Sequence, residues 1–136
     1  MKIGFTGTQR GMTTSQYKMV MNILDVYSEK ITEIHHGDCI GADRDFHDIS
    51  TKISLKSILH PPLNEYKRAF CNADIVLPKK DYLDRNHDIV DETDLLIATP
   101  GENFEVLRSG TWATIRYSKK KQKKVIIIYP DGKVHF

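Results

Sequence analysis

Cysteine is scarce: the 136-residue chain has two, Cys39 and Cys71. They form no CxxC pair and are too few for a disulfide framework, so two free thiols in a reducing compartment follow. Long apolar runs are also missing. None approaches the ~20 residues that a membrane span needs, and the opening MKIGFTG is too short and too weakly basic for a signal peptide. A cytoplasmic address and no membrane partner are the expectation. Six histidines (His35, His36, His47, His60, His87 and His135) never fall in an HExxH pattern, so no metal site is expected. There is no GxSxG elbow and no cysteine with an evident dyad partner. A prosthetic cofactor is not expected either.

Charge of one sign is lacking as well. Twenty Lys and Arg oppose eighteen Asp and Glu, yet five of the lysines crowd into residues 119–124 (KKKQKK). Without them fifteen basic side chains face eighteen acidic ones. A nucleic-acid groove needs basic residues spread along a face. A cluster where a helix ends complements the helix dipole instead, so nucleic acid is not the expected partner. With 40% hydrophobic residues, a chain of this size retains roughly 7,000 Å² of surface out of roughly 23,000 Å² unfolded. That suffices for one core, and residues 1–136 are read as a single domain.

Short apolar runs alternate with segments of helical period. Strands are predicted at Lys2–Thr6, Ile34–His36, Ser57–Leu59, Leu95–Ala98 and Val125–Tyr129. LLIA and VIIIY read as strands buried on both faces. Thr13 opens a helix with Gln16 as its capping-box partner, and Val20, Ile23, Leu24, Tyr27 and Ile31 make one buried stripe. A second helix buries Ala42, Phe46, Ile49 and Ile53. A third spans Tyr82–Asp91 behind Asp81, with Leu83 and Val90 inward, and a fourth runs from a Ser109 cap to about Lys120. Residues 63–80 are hard to read: a helical turn within Asn64–Asn72 and an extended piece at Ile75–Leu77. Asp131-Gly132 is a tight turn into an edge strand.

This alternation implies an α/β, Rossmann-like three-layer domain with a parallel sheet of about five strands and a C-terminal edge hairpin. The order 3-2-1-4-5 is preferred over a flavodoxin-like 2-1-3-4-5. Ligands then bind beyond the carboxyl ends of the strands, where the order reverses. The loop after the first strand holds Gly7, Thr8, Gln9, Arg10 and Gly11, leading to a helix N-terminus suited to an anion. It is neither GxGxxG nor a P-loop; Arg10 adds a guanidinium suited to phosphate. The loop after Leu95–Ala98 contains Pro100, Gly101 and Glu102, followed by Arg108, Ser109, Gly110 and Thr111. Together the two make a cradle of backbone donors. Gly37, Asp38 and Asp43 lie in the second loop; Asp38 or Asp43 suits ribose hydroxyls, and Asp43 equally suits its own helix dipole. Arg85 and Asn86 face a phosphate or solvent, and Trp112 is either core or a ring along a base.

GFTGTQRGMT, HHGDCIGAD, DRNHDIVDETDLLIATP and RSGTWATIRYSKK, in that order, resemble the SLOG superfamily over nearly the whole chain. That superfamily groups DNA-processing protein A and "Lonely guy" Rossmann-type domains with small YspA/YpsA-like proteins of bacteria and phages. The resemblance implies a nucleotide-type ligand, such as an ADP-ribose-like molecule or a cyclic nucleotide, and a homo-oligomer. "Lonely guy" enzymes cleave an N-glycosidic bond with a PGGxGTxxE loop; here Gly110-Thr111 match, but Thr114 stands at the glutamate position. A hydroxyl cannot do a carboxylate's proton transfer. Glu102 and Asp38 are the candidate substitutes. Binding by a sensor, carrier or sequestering protein is therefore expected ahead of hydrolysis of nucleoside monophosphates or a deoxyribosyltransferase-like reaction.

Overall fold

The computed structural model describes all 136 residues, with 7252 Å² of accessible surface. One seven-stranded sheet organises it. In chain order the strands are β1 (Lys2–Gly7), β2 (Glu33–His36), β3 (Ser57–Leu59), β4 (Ile75–Val76), β5 (Leu95–Thr99), β6 (Lys124–Ile128) and β7 (Val134–His135). Their order across the sheet is β4-β3-β2-β1-β5-β6-β7, all parallel except β7. The five strands expected from the sequence thus take the order 3-2-1-4-5. The sheet is wider than expected because Ile75–Val76 pairs with β3 as a further edge strand.

Helices α1 (Thr14–Tyr27) and α2 (Ala42–Lys52) cover one face; α3 (Tyr82–Asp91) and α4 (Gly110–Lys120) cover the other. The two-residue period of a strand divides the core between the faces. Leu95 and Ile97 of β5 join Ile3, Phe5, Val20, Leu24 and Phe46 on the α1/α2 side, where the Phe5 and Phe46 rings stack at 4.3 Å. Leu96 and Ala98 join Ile89, Val90, Trp112 and Ile115 on the α3/α4 side. Burying such a branched aliphatic side chain contributes about 1.5–3 kcal/mol.

The Thr13–Gln16 capping box is formed, and the buried Gln16 amide donates further to the carbonyls of Pro100 and Ile128. That side chain therefore anchors the start of α1 to the exits of β5 and β6. Two expectations fail locally. Leu83 is exposed rather than inward, and Asp81 precedes α3 without a side-chain cap bond. The helical turn expected within 64–72 is a single 3-10 turn, Glu65–Lys67, capped by Asn64.

Candidate functional site

The sheet order reverses between β1 and β5, and their carboxyl ends lie side by side. Beyond them is an open cleft of about 340 Å³, lined by Gly7, Thr8 and Gln9 from the first loop, Gly101 and Glu102 from the β5 loop, and 108–111 at the start of α4. The two segments that the sequence singles out therefore meet. Local structure explains their shape. Thr8 N–H completes the sheet on Thr99 O, and Thr8 O accepts from Gly11 and Ala42. Gly41, at φ +92°, lets the second loop lie directly on the Gln9 backbone, which a Cβ would meet at 2.2 Å.

Donors remain free along this rim. Ser109 caps α4 by accepting from Trp112 N, the third helical amide. The N–H groups of Gly110 and Thr111, like those of Gln9 and Gly101, find no partner in the protein. Helix N-terminal amides with the dipole behind them favour an anion. The side-chain charge is less simple. Arg10, largely exposed, pairs with Glu102 at 2.8 Å, and the other Glu102 oxygen accepts from Trp112 Nε1 at 3.1 Å. Arg108 lines the cleft without an ion-pair partner.

Other expected residues are placed differently. Asp38 does not reach the cleft: it is fully buried, at φ +54°, with one oxygen on Arg68 Nε and the other on Cys71 N. Its carboxylate pins the 65–72 segment and is not free for a ribose or for proton transfer. Asp43 is buried too and accepts from Cys39 N; burial outweighs the pull of Arg85 and raises its pKa to about 6. Arg85 is buried, donating to the carbonyls of Gly37 and His60 and to Cys39 Sγ, while its Nε has no partner. Arg85 lies in a narrow recess behind the cleft with Asp43 and Asn86, and Gly7, Gln9 and Tyr82 border both spaces. Pro100 contributes its carbonyl to Gln16. Trp112 is a core residue, so it offers no free face to a base.

No protein-family model matches the sequence, and the search of curated proteins finds no relative. Solved structures do match. The molybdenum cofactor binding protein of Rippkaea orientalis superposes with a TM-score of 0.73 at 20% identity, over 94% of this chain and 76% of that one. DNA processing protein A of Helicobacter pylori, described by its single-stranded DNA binding mode, gives 0.66 at 19%, over 93% and 64%. The Moco carrier protein of Chlamydomonas reinhardtii gives 0.68 at 17%, over 93% and 74%. The chain shares their Rossmann-like α/β fold. It spans about three quarters of the two cofactor proteins and just under two thirds of the DNA-processing protein.

Within this fold, sequence reasoning misses Tyr82. The first residue of α3 lays its ring against Gly110, whose Cβ would stand 2.1 Å from the tyrosine hydroxyl, and it forms a wall of the cleft. The Arg85 guanidinium lies over the same ring, 4.7 Å from its centroid. Only the glycine at 110 hints at a close neighbour. The histidines that no spacing connects are also paired in space: His35 with His60, and His36 with His47.

Proposed function

We propose that the cleft binds a small phosphate-bearing ligand of nucleotide type, and that the protein acts as its sensor, carrier or sequestering partner. The observation that carries this reading is the set of unpartnered amides at Gln9, Gly101, Gly110 and Thr111 along one cleft. A phosphate is the chemical group whose several acceptor oxygens use such amides together. Arg108 supplies a free cation, Arg10 a second one that can leave Glu102 at little cost, since exposed ion pairs contribute about 0–1 kcal/mol. Tyr82 forms the wall of the cleft beside these donors. The likeness to molybdenum-cofactor carriers supports small-molecule carriage by this architecture.

Hydrolysis is the weaker reading on two grounds. Thr114, at the expected glutamate position, is buried and its hydroxyl donates to Gly110 O. Glu102 is held by Arg10 and Trp112. A thermal-shift panel of nucleoside mono- and diphosphates, ADP-ribose, cyclic nucleotides and inorganic phosphate tests the proposal. One-site binding at 100 times Kd adds about 2.7 kcal/mol, a shift on the order of 10 °C. Arg108→Ala weakens that binding about tenfold. If no nucleotide in the panel shifts the transition, the nucleotide reading falls. Release of free base, abolished by Glu102→Gln, replaces binding with hydrolysis.

A further inference from the structure

On the α3 side of the sheet, away from the cleft, three metal-ligating side chains meet. The two-residue period of β2 sends Ile34 and His36 to the α1/α2 core and Glu33 and His35 to the opposite face. His60 follows β3, and Glu92 closes the end of α3. His35 Nδ1 and His60 Nε2 are 2.8 Å apart, Glu92 Oε2 is 3.4 Å from the second and 3.8 Å from the first. A triangle with those edges has a centre about 2.0 Å from each corner, the length of a zinc–nitrogen or zinc–oxygen bond. From these positions we infer that His35, His60 and Glu92 form a site for a divalent transition-metal ion of the Zn(II) class.

The surroundings match such a site. His35 Nε2 lies 2.6 Å from Glu33 Oε2. That hydrogen bond places the ring proton on Nε2 and leaves Nδ1, beside His60 Nε2 and Glu92 Oε2, with a lone pair to give, as in the carboxylate–histidine–metal arrangement. Both imidazoles are buried, whereas Glu92 is half-exposed, so water reaches the fourth position. Glu33 and Glu92 bring two negative charges; of the cations that act on His60, Arg85 is held on the carbonyls of Gly37 and His60, and Lys80 is paired with Asp88. Without an ion, a proton on His60 Nε2 serves His35 but holds the carboxylate loosely at 3.4 Å. An ion uses all three atoms at once and ties β2, the exit of β3 and the end of α3 together.

The other histidine cluster provides the contrast. His36 Nδ1 accepts from Asp38 N, His36 Nε2 therefore donates to His47 Nδ1, and His47 Nε2 donates to Asn72 O. Every ring nitrogen is spent, and although Cys71 stands close by, no imidazole lone pair is left for a metal. The proposed site is also independent of the cleft, since α3 puts about 15 Å between Tyr82 and Glu92.

The test is titration of chelator-stripped, folded protein with Co(II), followed by its visible d–d bands, and competition by Zn(II). One equivalent is expected, with the bands of a four-coordinate nitrogen/oxygen site. Glu92→Gln, at a half-exposed position that leaves the core untouched, lowers affinity at least tenfold. Glu33→Gln lowers it about 10–100-fold through its histidine, and Cys71→Ser leaves it unchanged. The proposal is overturned if the folded protein takes up neither ion, or if Glu92→Gln costs less than tenfold. A thiolate-to-cobalt charge-transfer band lost in Cys71→Ser likewise overturns it, by moving the ion to the other cluster.

Discussion

Asp43 shows how one buried carboxyl is pulled two ways. Desolvation raises its pKa, and the Arg85 charge and the Cys39 amide pull it down; the outcome is about 6. A carboxyl that is harder to ionise in the folded chain than in the unfolded one opposes folding as pH rises. Between about pH 4 and pH 6 the native state holds the proton and the unfolded state does not, so this group's contribution falls through that window. Asp43→Asn imitates the protonated form and keeps an acceptor for Cys39 N. The variant gains on the parent from pH 4 upward, by about 1–3 kcal/mol at pH 7. Urea unfolding of both proteins at pH 4, 5.5 and 7 reads this difference. An advantage that stays constant with pH contradicts it. Arg85 is the counterpart: its guanidinium sits against the Gly37 backbone, where an added Cβ would come 1.8 Å from a nitrogen. Gly37→Ala therefore expels Arg85 from its recess, and a loss of about 2–4 kcal/mol follows from breaking a buried charged network.

The joints between elements carry the next level. Gln16 serves as the third residue of a capping box and as donor to two strand exits. Gln16→Met keeps the side-chain length and helix propensity but leaves the Thr13 amide and two carbonyls without their partner. A loss of about 2–4 kcal/mol in urea unfolding is expected, and a loss below 1 kcal/mol contradicts the joint. Such a residue explains which parts of the fold can be read in advance. The apolar runs of β1, β5 and β6 and the Thr13 and Ser109 caps are local signals, and each marks its element within a residue or two. Residues 63–80 have no such period, because their path is fixed by distant partners: Asp38 holds Arg68 and Cys71, Ser57 holds Asp74, and Asn72 receives His47. The site divides along the same line. Glycine and hydroxyl residues after β1 and β5 announce the cleft, because free amides belong to the loop that carries them. Asp38 looks available in sequence and is taken by Arg68, thirty positions away. Tyr82 looks like an ordinary helix residue and becomes a cleft wall only through its contact with Gly110.

Across the whole molecule, charge and site are separated by the parallel sheet. Every parallel strand runs from an amino edge to a carboxyl edge, and the cleft occupies the carboxyl edge at β1 and β5. The lysine run lies at the opposite edge, from the last turn of α4 to the start of β6, where Lys123 donates to Thr93 O at 2.8 Å. Helix α4 joins the two regions, with its free amides at one end and Lys119–Lys121 at the other. Its eleven residues span about 16 Å, roughly twice the ~8 Å over which exposed charges act at physiological salt. The positive balance of the chain is therefore remote from the cleft, and Arg108 and Arg10 supply the local charge. Replacing Lys119, Lys120 and Lys121 together by Gln leaves the Kd for a cleft-bound nucleotide within about twofold at physiological ionic strength. Arg108→Ala costs about tenfold, or about 1.4 kcal/mol, and its effect shrinks as salt is raised. Calorimetric titrations of the three proteins at two salt concentrations measure both effects. A triple lysine variant that weakens nucleotide binding as much as Arg108→Ala puts the anion near the amino edge, and the cleft loses its claim.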